Sequence, residues 1–223
     1  MNELEFIRQQ VSTERGHAAA VRGACAAVLA AGADGPPDLE FLDACAAYLV
    51  FASGRFDAQD LLHGALLRPH RAAADVAERA LLDDLPQSLP ESREAIGRLA
   101  AALEARRKAM GTETGPAADA RFFEALRDYL AFHAGVLAAR RHSLHALCDR
   151  HYGLAEWRHA AAVDADSILE ERELYARVVA RLPDGLTLAP SEPSVPALRA
   201  AVAAAAAGPA ADAQLGTAAP RHR

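Results

Sequence analysis

Apolar residues recur at alternating intervals of three and four along four long stretches of the chain. This spacing is typical of amphipathic helices that bury one face. The first stretch, 2–31, ends before Gly32, and the fourth, 118–151, ends before Gly153. The buried seam predicted for the first is Leu4, Ile7, Val11, Glu14, Ala18, Val21, Cys25 and Val28. The seam predicted for the fourth is Phe122, Leu126, Tyr129, His133, Val136, Arg140, Leu144 and Leu147.

The middle of the chain shows the same periodicity with more interruptions. A second helix is expected from about Pro37-Asp38 to Leu67, with a break at Ser53-Gly54. The third region is predicted to be broken, because Pro86 and Pro90 lie inside it and proline disrupts a helix interior. Ser92 is then a candidate N-cap for a helix that reaches Met110.

These patterns predict an all-α fold. Aromatic residues make up only 5% of the chain, and no segment carries a sustained run of β-branched residues. Four long helices joined by short loops favour an up-down-up-down four-helix bundle, with short extra helices around Trp157 and over Glu170–Arg181. We expect residues 1–182 to form the bundle and residues 183–223, rich in Ala and Pro, to form a disordered tail.

Charge and composition narrow the classes of function. The net charge of −6 argues against a nucleic-acid surface. No signal peptide and no membrane-length apolar run precede the tail, so a cytoplasmic protein without a membrane partner is expected. Lys108 is the one lysine among 24 basic residues, a bias typical of GC-rich bacterial coding sequences. The three cysteines have no close spacing and predict neither a disulfide framework nor a zinc site.

Three groups of residues carry a family resemblance over about residues 3–182. In the first two helices they are Glu14-Arg15-Gly16-His17 and the segment from Ala47-Tyr48-Leu49 to Arg55-Phe56. In the fourth helix and after it they are Tyr129, Phe132, Leu137, Leu144, Leu147, Cys148, Arg150-His151-Tyr152-Gly153-Leu154 and Glu156-Trp157. This pattern resembles the hemerythrin-like (HHE cation-binding) domains. The resemblance implies a helical bundle with histidine and carboxylate ligands to iron in its core.

Most of the metal-ligand positions implied by the resemblance hold residues that cannot bind iron. The fourth-helix histidine aligns with Val136, and the paired carboxylates align with Arg140 and Arg141. Valine has no lone pair, and arginine stays protonated in proteins. The second-helix motif aligns with Asp57–Leu62 without its paired histidines, and the third-helix histidine falls near Arg93. His17 is the ligand that clearly remains, so we expect no standard di-iron site and no cofactor.

Three hypotheses about function follow from these positions. The first is a non-catalytic binding, sensory or interaction module, whose partner is an unidentified protein or small molecule. In it, Glu14, Arg93 and Arg140 form a charge cluster in place of the metals. The second is a protein that handles oxygen or nitric oxide through a non-standard iron site, whose candidate ligands are His17, Asp60, His63 and His133. The third is a pocket for an anionic small molecule, indicated by arginines that converge without carboxylate partners.

The sequence offers little support for an enzyme. No glycine-rich phosphate loop and no nucleophile motif such as Gly-x-Ser-x-Gly occurs in the chain. A cluster of His142, His145, His151 and His159 lies near the end of the fourth helix. We interpret these histidines as solvated surface residues.

Overall fold

The chain is α-helical throughout the part that the structure describes. This computed structural model describes residues 2–31, 38–161 and 165–188, apart from the side chains at 135–136, 138–139 and 165–166. The α-helices are α1 (Glu3–Ala31), α2 (Leu39–Leu67), α3 (Val76–Ala109), α4 (Gly115–Phe132), α5 (Ala138–His151), α6 (Leu154–Ala161) and α7 (Ala165–Ala180). A 3-10 helix, Arg68–Ala72, follows α2, and a π-helical turn, His133–Leu137, joins α4 to α5. The prediction of an all-α fold is confirmed.

Local sequence explains where two of the long helices begin. Asp38 caps α2, with its side chain accepting a hydrogen bond from the Phe41 N–H at 3.0 Å. Asp75 and Glu78 form a capping box at the start of α3. The break expected at Ser53-Gly54 does not occur, and α2 continues through both residues. Ser53 is buried there, and its hydroxyl is hydrogen-bonded to the Tyr129 hydroxyl at 2.6 Å.

The prediction of a broken third helix is wrong. α3 runs without interruption through Pro86 and Pro90, and Ser92 lies inside it instead of capping a new helix. The two prolines are four residues apart, so they share one face of the helix, and both are exposed. The backbone groups that lose their hydrogen bonds therefore lie toward water. An adjacent face, with Leu85 and Leu89, is buried and holds the helix in place.

α2 is the helix around which the others pack. It contacts α1, α3, α5, α6 and α7, and α3 also packs against α4. One apolar cluster includes Tyr48 and Phe122, and a second includes Leu67 and Trp157. Between Phe56 and Leu67, α2 buries several polar side chains: Asp57, Gln59, Asp60 and His63. A polar layer therefore separates the two apolar clusters along α2.

The π-helical turn changes which residues of the fourth long segment face the core. A π turn contains one more residue than an α turn, so residues beyond it are displaced by one position on the helix surface. The buried apolar positions after His133 are Leu137, Leu144, Leu147 and Cys148, and Arg141 lies between Leu137 and Leu144. Leu144 and Leu147 are thus buried as predicted. The predicted seam through Arg140 is wrong. The side chain of Val136, the other seam residue predicted here, lies outside the described part.

The described chain remains in contact with the core beyond the predicted boundary at 182. Leu186 and Leu188 pack against the first apolar cluster. Residues 189–223, which hold the rest of the predicted tail, lie outside the described residues.

The exposed prolines of α3 generate the first prediction. Proline in a helix interior is about 3 kcal/mol less favourable than alanine. Pro90→Ala should therefore raise the free energy of unfolding, by up to about that amount, because the new N–H completes a helical hydrogen bond. Urea denaturation followed by circular dichroism measures the change. A loss of stability in the alanine variant would contradict the observed path of α3.

Candidate functional site

Two buried aspartates of α2 are paired with arginines from two other helices. Arg141 of α5 donates from Nη2 to Asp57 Oδ1 at 2.5 Å and from Nε to Asp60 Oδ2 at 2.7 Å. Arg15 of α1 donates from Nη2 to Asp60 Oδ1 at 2.8 Å. Both carboxylates are almost fully buried, since each side chain is only 2% exposed. We call these four residues the core ion-pair network.

Neutral groups extend this network. Ser92 of α3 donates to Asp57 Oδ1 at 3.1 Å, and Gln59 Oε1 accepts from Arg15 at 3.1 Å. The ring of Phe56 lies beneath the guanidinium carbons of Arg15 and Arg141, at 4.9 Å and 5.9 Å from its centroid. The network therefore connects α1, α2, α3 and α5 through one set of charges.

The two aspartates have different electrostatic environments. Burial by itself would raise the pKa of Asp60, but Arg15 and Arg141 outweigh burial and lower it to about 2. For Asp57, burial is the larger effect and raises the pKa, although Arg141 and Ser92 oppose it. Its Oδ2 atom is buried and accepts no hydrogen bond from the described residues. Asp60 is therefore the firmly ionised member of the pair.

A second group of ion pairs joins α1, α2 and α7. Arg55 Nη2 lies 2.5 Å from Glu14 Oε2 and 2.6 Å from Glu171 Oε2. The Tyr48 hydroxyl donates to Glu171 Oε1 at 3.3 Å. Burial raises the pKa of Glu171, against the opposing charge of Arg55. This group forms the floor of a cleft of about 700 Å³ between α1 and α7.

The walls of this cleft are mainly apolar. The lining includes Phe6 of α1 and Ile168 and Val179 of α7. On one wall, the rings of His17 and Tyr175 are stacked with centroids 4.3 Å apart. The cleft has the size and the balance of apolar and polar groups found in small-molecule sites.

Histidines of α2 and α5 form a separate buried group near α6. His63 is fully buried, with Nδ1 3.3 Å from the Tyr152 hydroxyl and 3.4 Å from Cys148 Sγ. The ring centroids of His63 and His145 are 5.5 Å apart. In both histidines Nε2 is buried without a hydrogen-bond partner among the described residues. His145 is thus not the solvated surface residue that its position near the helix end predicts.

The four candidate metal ligands have different immediate surroundings. His17 lines the cleft, Asp60 belongs to the core ion-pair network, and His63 packs beside Tyr152. His133 lies in the π turn, 4.6 Å from Tyr129 between ring centroids. Within the described ranges, no three His, Cys, Asp or Glu side chains form a group that could hold a metal ion. The charge of Asp60 nevertheless acts on both His63 and His133.

The charge cluster predicted from Glu14, Arg93 and Arg140 does not form in the structure. Glu14 is paired, but with Arg55. Arg93 is exposed, and Arg140 is about one-third exposed, with its nearest carboxylate, Asp84, at 3.9 Å. The expectation that Arg140 and Arg93 form buried pairs is therefore wrong. The π turn directs Arg141 into the core where an uninterrupted α-helix would direct Arg140.

Sequence reasoning missed several residues of these two ion-pair groups. Arg15 and Arg55 were considered only as part of the family resemblance, and Glu171 lies in a helix treated only as an accessory. One signal was available for the aspartates, because Asp57 and Asp60 share a helix face at a spacing of three. Their partners are far away in the chain, so spacing alone could not identify them.

Comparison with protein-family models, with curated proteins and with solved structures finds no match for this chain. Within the described ranges, no helix has both the length and the apolar character needed to cross a bilayer. The arguments about function therefore depend on the site itself.

The core ion-pair network predicts unequal roles for two adjacent arginines. Arg141→Met should lower the free energy of unfolding by about 3 kcal/mol, because Asp57 loses its cation and Asp60 keeps only Arg15. Arg140→Met removes the same charge from a largely solvated position and should cost less than about 1 kcal/mol. Urea denaturation of the two variants compares them directly. Equal losses would show that the network is not where the structure places it.

The buried histidines predict a loss of stability in mild acid. Burial, with the charge of Arg15, lowers the pKa of His63 from its ordinary value of 6.5 to about 4. Between these values the unfolded chain binds a proton at His63 that the folded chain does not, so the contribution of His63 to stability falls as pH decreases from 6.5 and levels off near 4. The slope from one such group is at most about 1.4 kcal/mol per pH unit.

Variants of two histidines test this pH dependence. His63→Gln should flatten the decline in stability between pH 6.5 and 4, whereas His159→Gln, at an exposed position, should leave it unchanged. Thermal unfolding across this pH range is the measurement. A decline of the same slope in His63→Gln and in the parent protein would contradict the buried neutral state of His63.

Proposed function

We propose that this chain is a hemerythrin-like, up-down-up-down four-helix bundle in which arginine–aspartate pairs replace the di-iron centre. In this proposal it acts as a metal-independent binding or sensory module and not as an enzyme. The observation that carries it is the core ion-pair network. The resemblance aligns the second-helix ligands with Asp57–Leu62 and the fourth-helix carboxylates with Arg140 and Arg141. Asp57, Asp60 and Arg141 from these segments are the residues that contact one another in the core.

The contacts of this network support a site that does not need iron. Both oxygens of Asp60 already accept charge-assisted hydrogen bonds from guanidinium groups. Arg141 places a permanent positive charge between the two aspartates. Buried carboxylates need either a metal or a paired cation, and here arginine supplies the cation. The residues present therefore do not fit a di-iron centre.

The cleft between α1 and α7 supports the binding role. Its volume of about 700 Å³ suits a small organic ligand with a large apolar part. The stacked rings of His17 and Tyr175 offer a flat surface, and the Arg55 group forms a polar floor. We propose a largely apolar small molecule as the ligand of this cleft.

Elemental analysis tests the loss of the metal. Protein expressed in iron-supplemented medium should contain no stoichiometric metal, and its absorption spectrum should not change on addition of azide. About two irons per chain with azide-sensitive bands would overturn the proposal.

A fluorescent apolar probe, 1-anilinonaphthalene-8-sulfonate, tests the cleft in the folded protein. Ala176→Trp should fill the cleft and weaken binding of the probe, because Ala176 lines it. Glu173→Trp adds the same side chain to an exposed position of α7 that does not line the cleft, and it should leave binding unchanged. Equal effects of the two variants, or no binding to the parent protein, would exclude the cleft as the site.

A second candidate function is an unusual mononuclear metal site. The favouring observation is that His63 and His133 both bury an Nε2 atom without a partner among the described residues. Imidazole nitrogens are good ligands for iron and zinc. About one metal per chain that is lost in His63→Ala would support this candidate and would displace the metal-independent module.

A further inference from the structure

Arg22 of α1 is a largely buried arginine for which the described residues provide no carboxylate. Arg15, Arg55 and Arg141 each lie within 2.8 Å of an acidic oxygen. Arg22 forms no such pair in the described ranges, and its Nη1 atom is shielded from solvent without a hydrogen-bond partner there. Enclosing a charge without a partner is costly, so proteins normally place a counter-ion beside it.

The groups around Arg22 are polar, enclosed and not acidic. The Tyr129 hydroxyl interacts with the Arg22 guanidinium and lies 2.6 Å from Ser53 Oγ. His133 is 4% exposed, its ring is 4.6 Å from that of Tyr129, and its Nε2 has no partner in the described part. An N–H of Arg22, a hydroxyl and an imidazole nitrogen therefore lie around one small region of the core.

His133 belongs to this region because it follows Tyr129 by four residues, so both side chains lie on one face of the helix. His133 is the first residue of the π turn, and α4 ends immediately before it. Single π turns inside α-helices occur frequently at functional sites. The turn also directs Arg141 to Asp57 and Asp60 of the core network. These two carboxylates are therefore paired with Arg141 and not with Arg22.

The electrostatics of this region agree with its geometry. Burial lowers the pKa of Arg22, the direction expected for a cation without a counter-charge. Burial, followed by the charges of Arg22 and Arg141, lowers the pKa of His133 to about 2. Asp60 opposes this effect but is the weakest of the contributions. A bound anion would lower the free energy of both groups.

We propose that Arg22, Tyr129 and His133 form a buried binding site for a small monovalent oxyanion of the size of formate or nitrate. One unpaired guanidinium matches one negative charge. Its planar, fork-shaped donor set matches a planar oxyanion better than a spherical halide. Because Tyr129 and His133 are both buried, the proposed ligand is limited to an anion of a few atoms. This site is separate from the α1–α7 cleft and does not depend on the function proposed for it.

Thermal unfolding in different sodium salts tests the site. Sodium gluconate, whose anion is too large to enter the site, is replaced stepwise by sodium formate or sodium nitrate at constant ionic strength. The melting temperature of the full chain should rise in a saturable manner with formate and nitrate, because a ligand of the folded state stabilises it by mass action. Sodium sulfate serves as a control. Sulfate stabilises folded proteins because it is excluded from their surface, and this effect does not require the site.

Two arginine variants give the matched comparison. Arg22→Met should lose the saturable response, and in gluconate it should be at least as stable as the parent protein, because the unpaired charge is gone. Arg127→Met removes an exposed arginine of α4 and should retain the full response. Tyr129→Phe provides a second test if Arg22→Met does not fold. Loss of one hydrogen bond should weaken the apparent affinity by about tenfold.

A nuclear magnetic resonance readout follows the site directly. The imidazole ¹⁵N signals of His133 should shift with formate at the same half-saturation as the melting temperature. The proposal is overturned if formate and nitrate have no effect beyond that of gluconate. It is also overturned if the melting temperature of Arg22→Met responds to formate and nitrate as that of the parent protein does. A third contradicting outcome is that sulfate gives the same saturable response as formate and nitrate and that Arg22→Met abolishes all three responses equally.

Discussion

The structure depends on how α2 buries two carboxylates in the middle of a helical core. Asp57 and Asp60 lie between two apolar clusters, where an ionised group without a partner would be strongly unfavourable. Arg15 and Arg141 reach them from α1 and α5, so the packing of three helices is coupled to one electrostatic requirement. Such pairs do not guarantee high stability, but they favour the arrangement in which every charge finds its partner.

The positive groups of the core are not all neutralised in the same way. Arg141 and Arg15 are matched by Asp57 and Asp60, and Arg55 is matched by Glu14 and Glu171. Arg22 has no acidic partner in the described part of the chain. This difference separates arginines that are each paired with a carboxylate from an electrostatically incomplete region with an unpaired cation. Incomplete regions are where ligands contribute most, because binding removes an existing penalty.

The π turn links the two regions. His133, which lies one helical turn after Tyr129, is the first residue of the π turn, and the additional residue in that turn directs Arg141 toward the aspartates. Without that residue, Arg140 would face the core and the network would have a different geometry. A local change in helical winding therefore decides which arginine enters the network, whereas the surroundings of Arg22 follow from the α-helical spacing of Tyr129 and His133. The exposed prolines of α3 have a smaller effect, because their unpaired backbone groups lie toward solvent.

The sequence by itself determined the helical class, the approximate ends of the first two long helices and much of the buried seam, because helical periodicity depends on residues three and four positions apart. It also identified Asp60, His63 and His133 as inward-facing residues. Tertiary structure alone decided that Arg141 rather than Arg140 is buried, and that Arg15 and Arg55 meet carboxylates at all. Those pairs join residues more than 40 positions apart. Their partners are determined by helix packing and by a π turn that no local sequence pattern predicts.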